Sequence, residues 1–402
     1  MVNNMENLFL FFYTILGGYL LLYCTYFMIT LIVGSLYKAR YSNNLPIKDD
    51  RWLIVIPAYN PNATFLKVLD SISKYSPKND FKVHVLFQEA NQEIRDKAIA
   101  NYTIDFDEKS FDPKLGNTYV QALKHINTSI KIKEDFTHVV LLDKDNIVDE
   151  YFFSTLAKIR ANGYEYIQGK RLPLSLKNGV ASYDAISEEL NNVTLRNYKS
   201  AFKWMPELTG SAFIINSTFF SNGIENLDLK NPGMDKNLFL EWLLNSTSKI
   251  RSTYTDLALV YEEKTDDIKV LKQQRTRWFA EQYLTAFSYS KKLISKFIKT
   301  GRIEVLDYTI SIFRPPRSIV YLLLPLFFFI ERIFIPQYYL FLISLTLLFI
   351  GTTVFLIKRK LVKTFFNFIL IAPQIVLSNI RSLSNIFNKK ISGIFIHTER
   401  NN

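Results

Sequence analysis

Val139-Val140-Leu141-Leu142-Asp143-Lys144-Asp145-Asn146 decides the fold: a short apolar run stops abruptly at two carboxylates one residue apart. A run this short and apolar reads as a strand buried on both faces, the habit of parallel sheets covered by helices. Leu53-Ile54-Val55-Ile56 repeats the pattern and leaves through Pro57-Ala58-Tyr59-Asn60-Pro61. From Arg51 to about Gln282 such runs alternate with polar, helix-like stretches. The region reads as one α/β domain of about 230 residues with a mostly parallel sheet.

The flanks have a different character. Of the 402 residues 48% are hydrophobic and 33 are Phe, which leans toward a membrane protein. Glu6 to Lys38 is charge-free between its ends and includes Leu8 to Val33, enough for one tilted span at ~20 residues each. It lacks a small-residue cleavage site and reads as a permanent anchor. Ser318 to about Ile335 and Tyr338 to Ile357, joined by Ile335-Pro336-Gln337, read as a helical hairpin. Glu331 and Arg332 fall near its far end, where headgroups solvate charge. Thr364 to Ile380, interrupted by Asn367, Pro373 and Asn379, reads as an interfacial helix.

The net charge of +12 raises nucleic acid as a partner, but Lys38-Ala39-Arg40, Lys291-Lys292, Lys358-Arg359-Lys360 and Lys389-Lys390 crowd around the apolar segments. That is the positive-inside pattern of a multi-pass protein with a cytosolic domain, and nucleic acid is not expected. The single Cys24 excludes an intramolecular disulfide. The expected division is an anchor over 1–40, a cytosolic domain over 41–290 and interfacial helices over 291–317. A transmembrane hairpin over 318–357 and a cytosolic tail with an interfacial helix over 358–402 complete it. Asn, Lys, Ile and Phe usage suggests an AT-rich bacterial genome, hence a bacterial inner or plasma membrane.

Several residues carry chemistry. Asp143 and Asp145 leave the carboxyl end of a strand, where open α/β sheets bind ligands. Spaced by one residue they can point the same way and suit Mg²⁺ or Mn²⁺ bridging a diphosphate; the same pair also serves as a solvated turn. In Gln274-Arg275-Thr276-Arg277-Trp278, Arg277 can grip a phosphate bidentately and Trp278 can stack on a sugar, or the segment is a basic membrane-interface helix.

Taken together, Pro57-Ala58-Tyr59-Asn60, Asp143-x-Asp145, Gly210-Ser211-Ala212, Met234-Asp235 and Gln274-x-x-Arg277-Trp278 resemble the processive, membrane-bound family 2 glycosyltransferases. These are the cellulose, chitin, hyaluronan and poly-N-acetylglucosamine synthases. The resemblance implies a GT-A-like nucleotide-sugar-binding domain flanked by transmembrane helices, a nucleotide-sugar donor (UDP-sugar above others) and a growing polysaccharide. It implies diphosphate and metal at Asp143 and Asp145, and a general base at Asp235, with Met234 where Glu is common and Glu241 the competing base. Pro57, Tyr59, Glu89, Lys114, Gln274 and Arg277 fall to the donor, and Gly210, Ser211 and Trp278 to the acceptor. Asn117 replaces a more usual Lys, and Gln88-Glu89 stands where the family presents Asp to uracil. Phe395-Ile396-His397-Thr398-Glu399-Arg400 resembles a gating loop, with His397, Thr398 and Arg400 as its polar members.

Two further readings stay open. One is transfer of a single sugar to a polyprenyl-linked acceptor; the other is a catalytically silent subunit of a polysaccharide secretion complex. A homo-oligomer or an export partner is expected beside membrane lipid, because three spans are few for a self-contained channel.

Overall fold

The computed structural model describes residues 2–42, 45–46, 49–77, 80–229, 233–245 and 250–385. A long helix, α1 (Val2–Leu36), precedes β1 (Arg51–Tyr59), α2 (Ala63–Lys74), β2 (Asp80–Gln88), α3 (Gln92–Asn101) and β3 (Asp105–Glu108). Next come α4 (Thr118–Ser129), α5 (Ile132–Asp135), β4 (His138–Leu141), β5 (Ile147–Val148), α6 (Phe152–Ala161) and β6 (Tyr166–Pro173). α7 (Gly179–Asn191) and α8 (Tyr198–Ala201) flank a buried π-helical turn, Asn192–Asn197. β7 (Phe213–Asn216), α9 (Ser217–Glu225), α10 (Met234–Asn245) and β8 (Ser252–Glu262) close the sheet. The remainder is helical: α11 (Ile268–Thr300), α12 (Ile303–Ile312), α13 (Arg317–Phe334), α14 (Leu340–Lys358), α15 (Val362–Ile369) and α16 (Ala372–Asn385).

The eight strands lie in the order β3-β2-β1-β4-β7-β6-β8-β5. β3, β2, β1 and β4 are parallel, as are β6 and β8, while β7 runs antiparallel between β4 and β6. Alternation along β1 divides the core. Trp52, Ile54 and Ile56 meet Phe65, Val68 and Leu69 of α2 and Phe152 and Leu156 of α6. Leu53 and Val55 face Val120 and Leu123 of α4, Phe220 of α9 and Leu238 of α10. Both faces are covered, which is why the strands are apolar throughout rather than alternating, each buried large side chain contributing about 1.5–3 kcal/mol.

A third core joins Leu20, Cys24, Phe27 and Leu31 of α1 to Leu324 of α13 and to Phe341, Leu348 and Phe355 of α14. Asn7–Leu36 and Leu340–Lys358 are long and apolar enough to cross a membrane; Val362–Ile369 and Ala372–Ser384 qualify only as a pair bent by 77°. Glu331 departs from the sequence expectation. It is fully buried, accepting from Tyr13 Oη (2.5 Å) and from the backbone N–H groups of Phe341 (2.9 Å) and Leu342 (3.0 Å), so it caps the start of α14 rather than meeting headgroups. The stretch expected as one interfacial helix is two, and α16 lies against α11, with Ser382 Oγ donating to the Lys272 carbonyl at 3.2 Å.

Helix α1 sits directly on the α/β domain. A Cβ on Gly34 would lie 2.1 Å from the Val193 carbonyl oxygen. Beside it, Arg359 donates to the Gly34 carbonyl (3.2 Å) and to Asp256 (2.7 Å).

Candidate active site

Strands β2 and β3 follow β1 on one side, and the chain then crosses to place β4 on the other. The carboxyl ends of β1 and β4 therefore form the topological switch point where open sheets bind ligands. The β1–β4 ladder stops at Val55↔Leu141, and Pro57, with no N–H to give, lies beyond it. Asn60 (φ 42°) and Glu89 (φ 49°) turn the chain sharply off β1 and β2, and the Asn60 N–H donates to the Gln88 carbonyl at 2.8 Å. Gln88 is buried and Glu89 exposed, so Glu89 is the one of the two presented at the strand edge.

Asp143-Lys144-Asp145-Asn146 turns from β4 into β5. Asn146, fully buried, pins it by accepting from the Asp143 N–H (3.0 Å) and donating to Glu262 (3.3 Å). Lys144 Nζ donates to the Tyr59 and Asn60 carbonyls, tying this turn to the β1 exit. Tyr119 Oη of α4 donates to Asp143 Oδ1 at 3.2 Å. Burial, then the neighbouring Asp145 carboxylate, push Asp143 up to about 6, against the pull of Arg171. Arg171 is itself engaged by Glu188 (2.8 Å) and Glu262 (3.5 Å), and Lys264 pairs with the same two carboxylates. None of Arg171, Glu188, Glu262 and Lys264 stood out in the sequence, although Glu262 and Lys264 lie in one charged run.

Because β7 is antiparallel to β4, its start lies beside the end of β4, with Leu141 opposite Phe213. That brings Gly210-Ser211-Ala212 to the carboxylate turn, and the Ala212 N–H donates to the Leu141 carbonyl at 2.8 Å. Buried Gln168 holds the turn from below, donating to the Ser211 (3.0 Å) and Ala212 (3.1 Å) carbonyls. Gly210 has φ 90° and open space where a Cβ would stand.

Asp235 occupies the first turn of α10, where the helix dipole favours a carboxylate. Its Oδ1 accepts from the Lys236 N–H at 2.8 Å, and Tyr119 lies within its field as well as within that of Asp143. Glu241 faces away, accepting from Asn245 and lining an open groove with Tyr289 and Lys292. On α11, Gln274 is buried and Arg277 Nε lies 3.4 Å from Glu281. Trp278 carries the Arg275 guanidinium 4.8 Å from its ring centre, and Arg275 in turn donates to Asp184 at 3.0 Å.

Lys114 is exposed on a 3-10 turn, Pro113–Leu115, just ahead of α4. Asn117 is a helix cap whose Oδ1 accepts from the Tyr119 (3.0 Å) and Val120 (3.3 Å) N–H groups. His397, Thr398 and Arg400 lie outside the described residues. Among the described residues no three His, Cys, Asp or Glu side chains are grouped to hold a metal ion.

Residues 50–280, more than half of the chain, match the family model described as glycosyltransferase like family 2. No curated protein sequence matches the chain. Among solved structures, mannosyltransferase PcManGT from Pyrobaculum calidifontis, in complex with GDP-Man and Mn²⁺, is 13% identical with a TM-score of 0.51. That match covers 91% of this chain and 99% of the mannosyltransferase. S. aureus TarS is 13% identical (TM-score 0.39), covering 59% of this chain, which spans only 39% of the length of TarS. Glucosyl-3-phosphoglycerate synthase from Mycobacterium tuberculosis, with Mn²⁺, UDP and phosphoglyceric acid, is 16% identical (TM-score 0.39), covering 58% of this chain and 78% of its own. The mannosyltransferase likeness shows the fold alone, and the family match supplies the chemistry. With these turns gathered at the switch point of a GT-A-like sheet, the chain belongs to glycosyltransferase family 2 and transfers sugar from a nucleotide-sugar donor.

Proposed function

We propose that this enzyme is a membrane-bound, inverting, divalent-metal-dependent transferase that extends a polysaccharide from its cytosolic face. The observation that carries the reading is the strained carboxylate pair. Asp143 is held near 6 by burial and by Asp145, a repulsion that a divalent cation shared with a diphosphate relieves. Asp143 and Asp145 would hold Mg²⁺ or Mn²⁺, which when bound supplies Lewis-acid charge opposite the departing diphosphate. Two protein carboxylates suffice where phosphate oxygens complete the shell, so the pair fits the ion.

Pro57, Tyr59, Glu89 and Lys114 line the donor side, with Gln274 and Arg277 toward the diphosphate. Gly210 and Ser211 leave room for the acceptor, and Trp278 offers an aromatic ring on which a sugar can stack. Asp235 takes the proton of the acceptor hydroxyl as its oxygen bonds to the anomeric carbon. The bond from that carbon to the diphosphate breaks, and its electron pair leaves with the nucleoside diphosphate. A UDP-sugar is the preferred donor. α1 and the α13–α14 hairpin anchor the domain, with the basic Lys358-Arg359-Lys360 in the cytosol.

A second reading is transfer of one sugar to a polyprenyl-linked acceptor, favoured by the small number of helices able to span a membrane. The test is incubation of purified protein with a panel of radiolabelled nucleotide sugars and Mn²⁺ or Mg²⁺, followed by product sizing. High-mass polymer supports the first reading, a single-sugar lipid product the second. Transfer that persists fully in EDTA, or in Asp235→Asn, overturns the mechanism.

A further inference from the structure

Glu281 is a carboxylate that neither the sequence motifs nor the mechanism above uses. It lies on α11 one turn beyond Arg277 and is 5% exposed. Its two oxygens face two different cations: Oε1 lies 3.4 Å from Arg277 Nε, and Oε2 lies 3.8 Å from Lys236 Nζ. Lys236 Nζ is at almost the same distance, 3.9 Å, from Asp235 Oδ1. One ammonium thus stands midway between the proposed base on α10 and a buried carboxylate on α11. Asp235 and Lys236 are 29% and 19% exposed at their side chains, so the pair opens to solvent while Glu281 backs it from inside.

We propose that Glu281 is a positioning residue: it draws Lys236 off Asp235 and orients Arg277, so that Asp235 stays available to take the acceptor proton. This rests on the assignment of Asp235 as base. An ammonium held between two carboxylates pairs less closely with either than one that has a single partner. Remove the inner charge, and Lys236 relaxes onto Asp235, closing an ion pair on the carboxylate that must receive the proton. Arg277 loses its inner anchor in the same event. The groups facing Glu281 are Lys236 and Asp235 from α10 and Arg277 from its own helix. Burial, reinforced by Asp235 and opposed by both cations, raises it to about 7, so Glu281 itself loses its hold on Lys236 as pH falls through neutrality.

The test uses the full-length enzyme in detergent or nanodiscs and compares Glu281→Gln, Lys236→Met and the double variant. Glu281→Gln is expected to lower kcat about ten- to a hundred-fold and to lose the step in kcat/KM near neutral pH. The double variant, with no ammonium left to fall onto Asp235, recovers at least about ten-fold over Glu281→Gln. Thermal unfolding in the same detergent or nanodisc, with a transition as cooperative as the parent's, reports that the variants are folded. A Glu281→Gln enzyme that keeps the parental kcat and pH profile overturns the proposal, as does a double variant no better than the single one. If the parent enzyme itself transfers no sugar, or Asp235→Asn is fully active, it is the functional reading that fails.

Discussion

Strand β4 carries a charged cluster at each end, and the two are built on opposite terms. At its amino end His138, Arg160, Asp50 and Glu165 close on one another. Arg160 Nη1 reaches Glu165 at 2.7 Å, Arg160 Nε reaches Asp50 at 3.2 Å, and His138 Nε2 lies 3.3 Å from Glu165. The His138 hydrogen bond, helped by Arg160 against burial, holds Glu165 down at about 2. At the carboxyl end Asp143 has a carboxylate for a neighbour and stands at about 6. The first cluster closes on itself as ion pairs; in the second, burial and a like charge raise one carboxylate, the kind of perturbation that clusters at functional sites.

The sharpest way to break that contrast is Asp143→Asn. Transfer is expected to fall by about a hundred- to a thousand-fold, measured as kcat with Mn²⁺ present, because the proposed mechanism gives this carboxylate the metal. Stability moves the other way. A carboxylate raised in the folded state destabilises it once ionised, and that cost is present above about pH 6 and vanishes toward the ordinary carboxylate range. The metal-free variant should therefore be more stable at pH 7 by about 1–2 kcal/mol, after discounting for solvent screening. Below pH 4 the two proteins should melt alike.

Arg160→Met makes the complementary break. It strands Asp50 and Glu165 at the edge remote from the site and should cost about 3 kcal/mol of stability, read by thermal unfolding. Because Glu165 is depressed, its contribution is full above its ordinary range and is lost as pH falls toward 2, so the deficit shrinks in acid. Donor KM should stay within two-fold of the parent by rough expectation, since no residue of the amino edge reaches the site.

The two ends also differed in how far the sequence disclosed them. The carboxyl end was legible because a buried strand that breaks into Asp-x-Asp leaves only its exit for chemistry, and the small Gly210 turn was recognisable as a companion. What the sequence hid was partnership across the fold. Arg171 of β6, Glu188 of α7, Glu262 of β8 and Lys264 of the loop after it become one network only when β6 and β8 pair. Glu281 was visible as an i,i+4 neighbour of Arg277, yet nothing along the chain says that Lys236 will stand opposite. Glu331 misled for the same reason: its position near a helix end suggested headgroups, and only the packing of α1 and α14 supplies its donors.

Backbone conformation at the carboxyl edge offers a smaller test. Gly116 has φ 121°, and a Cβ there would lie 2.2 Å from the Leu229 carbonyl oxygen, the group that accepts from the Asn117 N–H at 2.8 Å. Gly116→Ala should cost about 2 kcal/mol and shift α4, which carries Tyr119 to Asp143, so kcat and melting temperature should fall together. Gly210 has the same handedness but open space, so Gly210→Ala should disturb the fold less and acceptor KM more.

The smallest effect decides what Asn117 is for. If it is only the cap of α4, Asn117→Ala should lower stability by about 1 kcal/mol and Asn117→Ser should restore most of it, since Ser also offers an acceptor to the Tyr119 and Val120 N–H groups. Asn117→Lys places a cation at the start of α4 and removes the acceptor. It should therefore melt like the Ala variant, by about 2–4 °C below the parent. The donor KM separates the outcomes: a Lys variant that also binds nucleotide sugar more tightly would mean the position faces the diphosphate. An unchanged KM leaves Asn117 as a cap and nothing more.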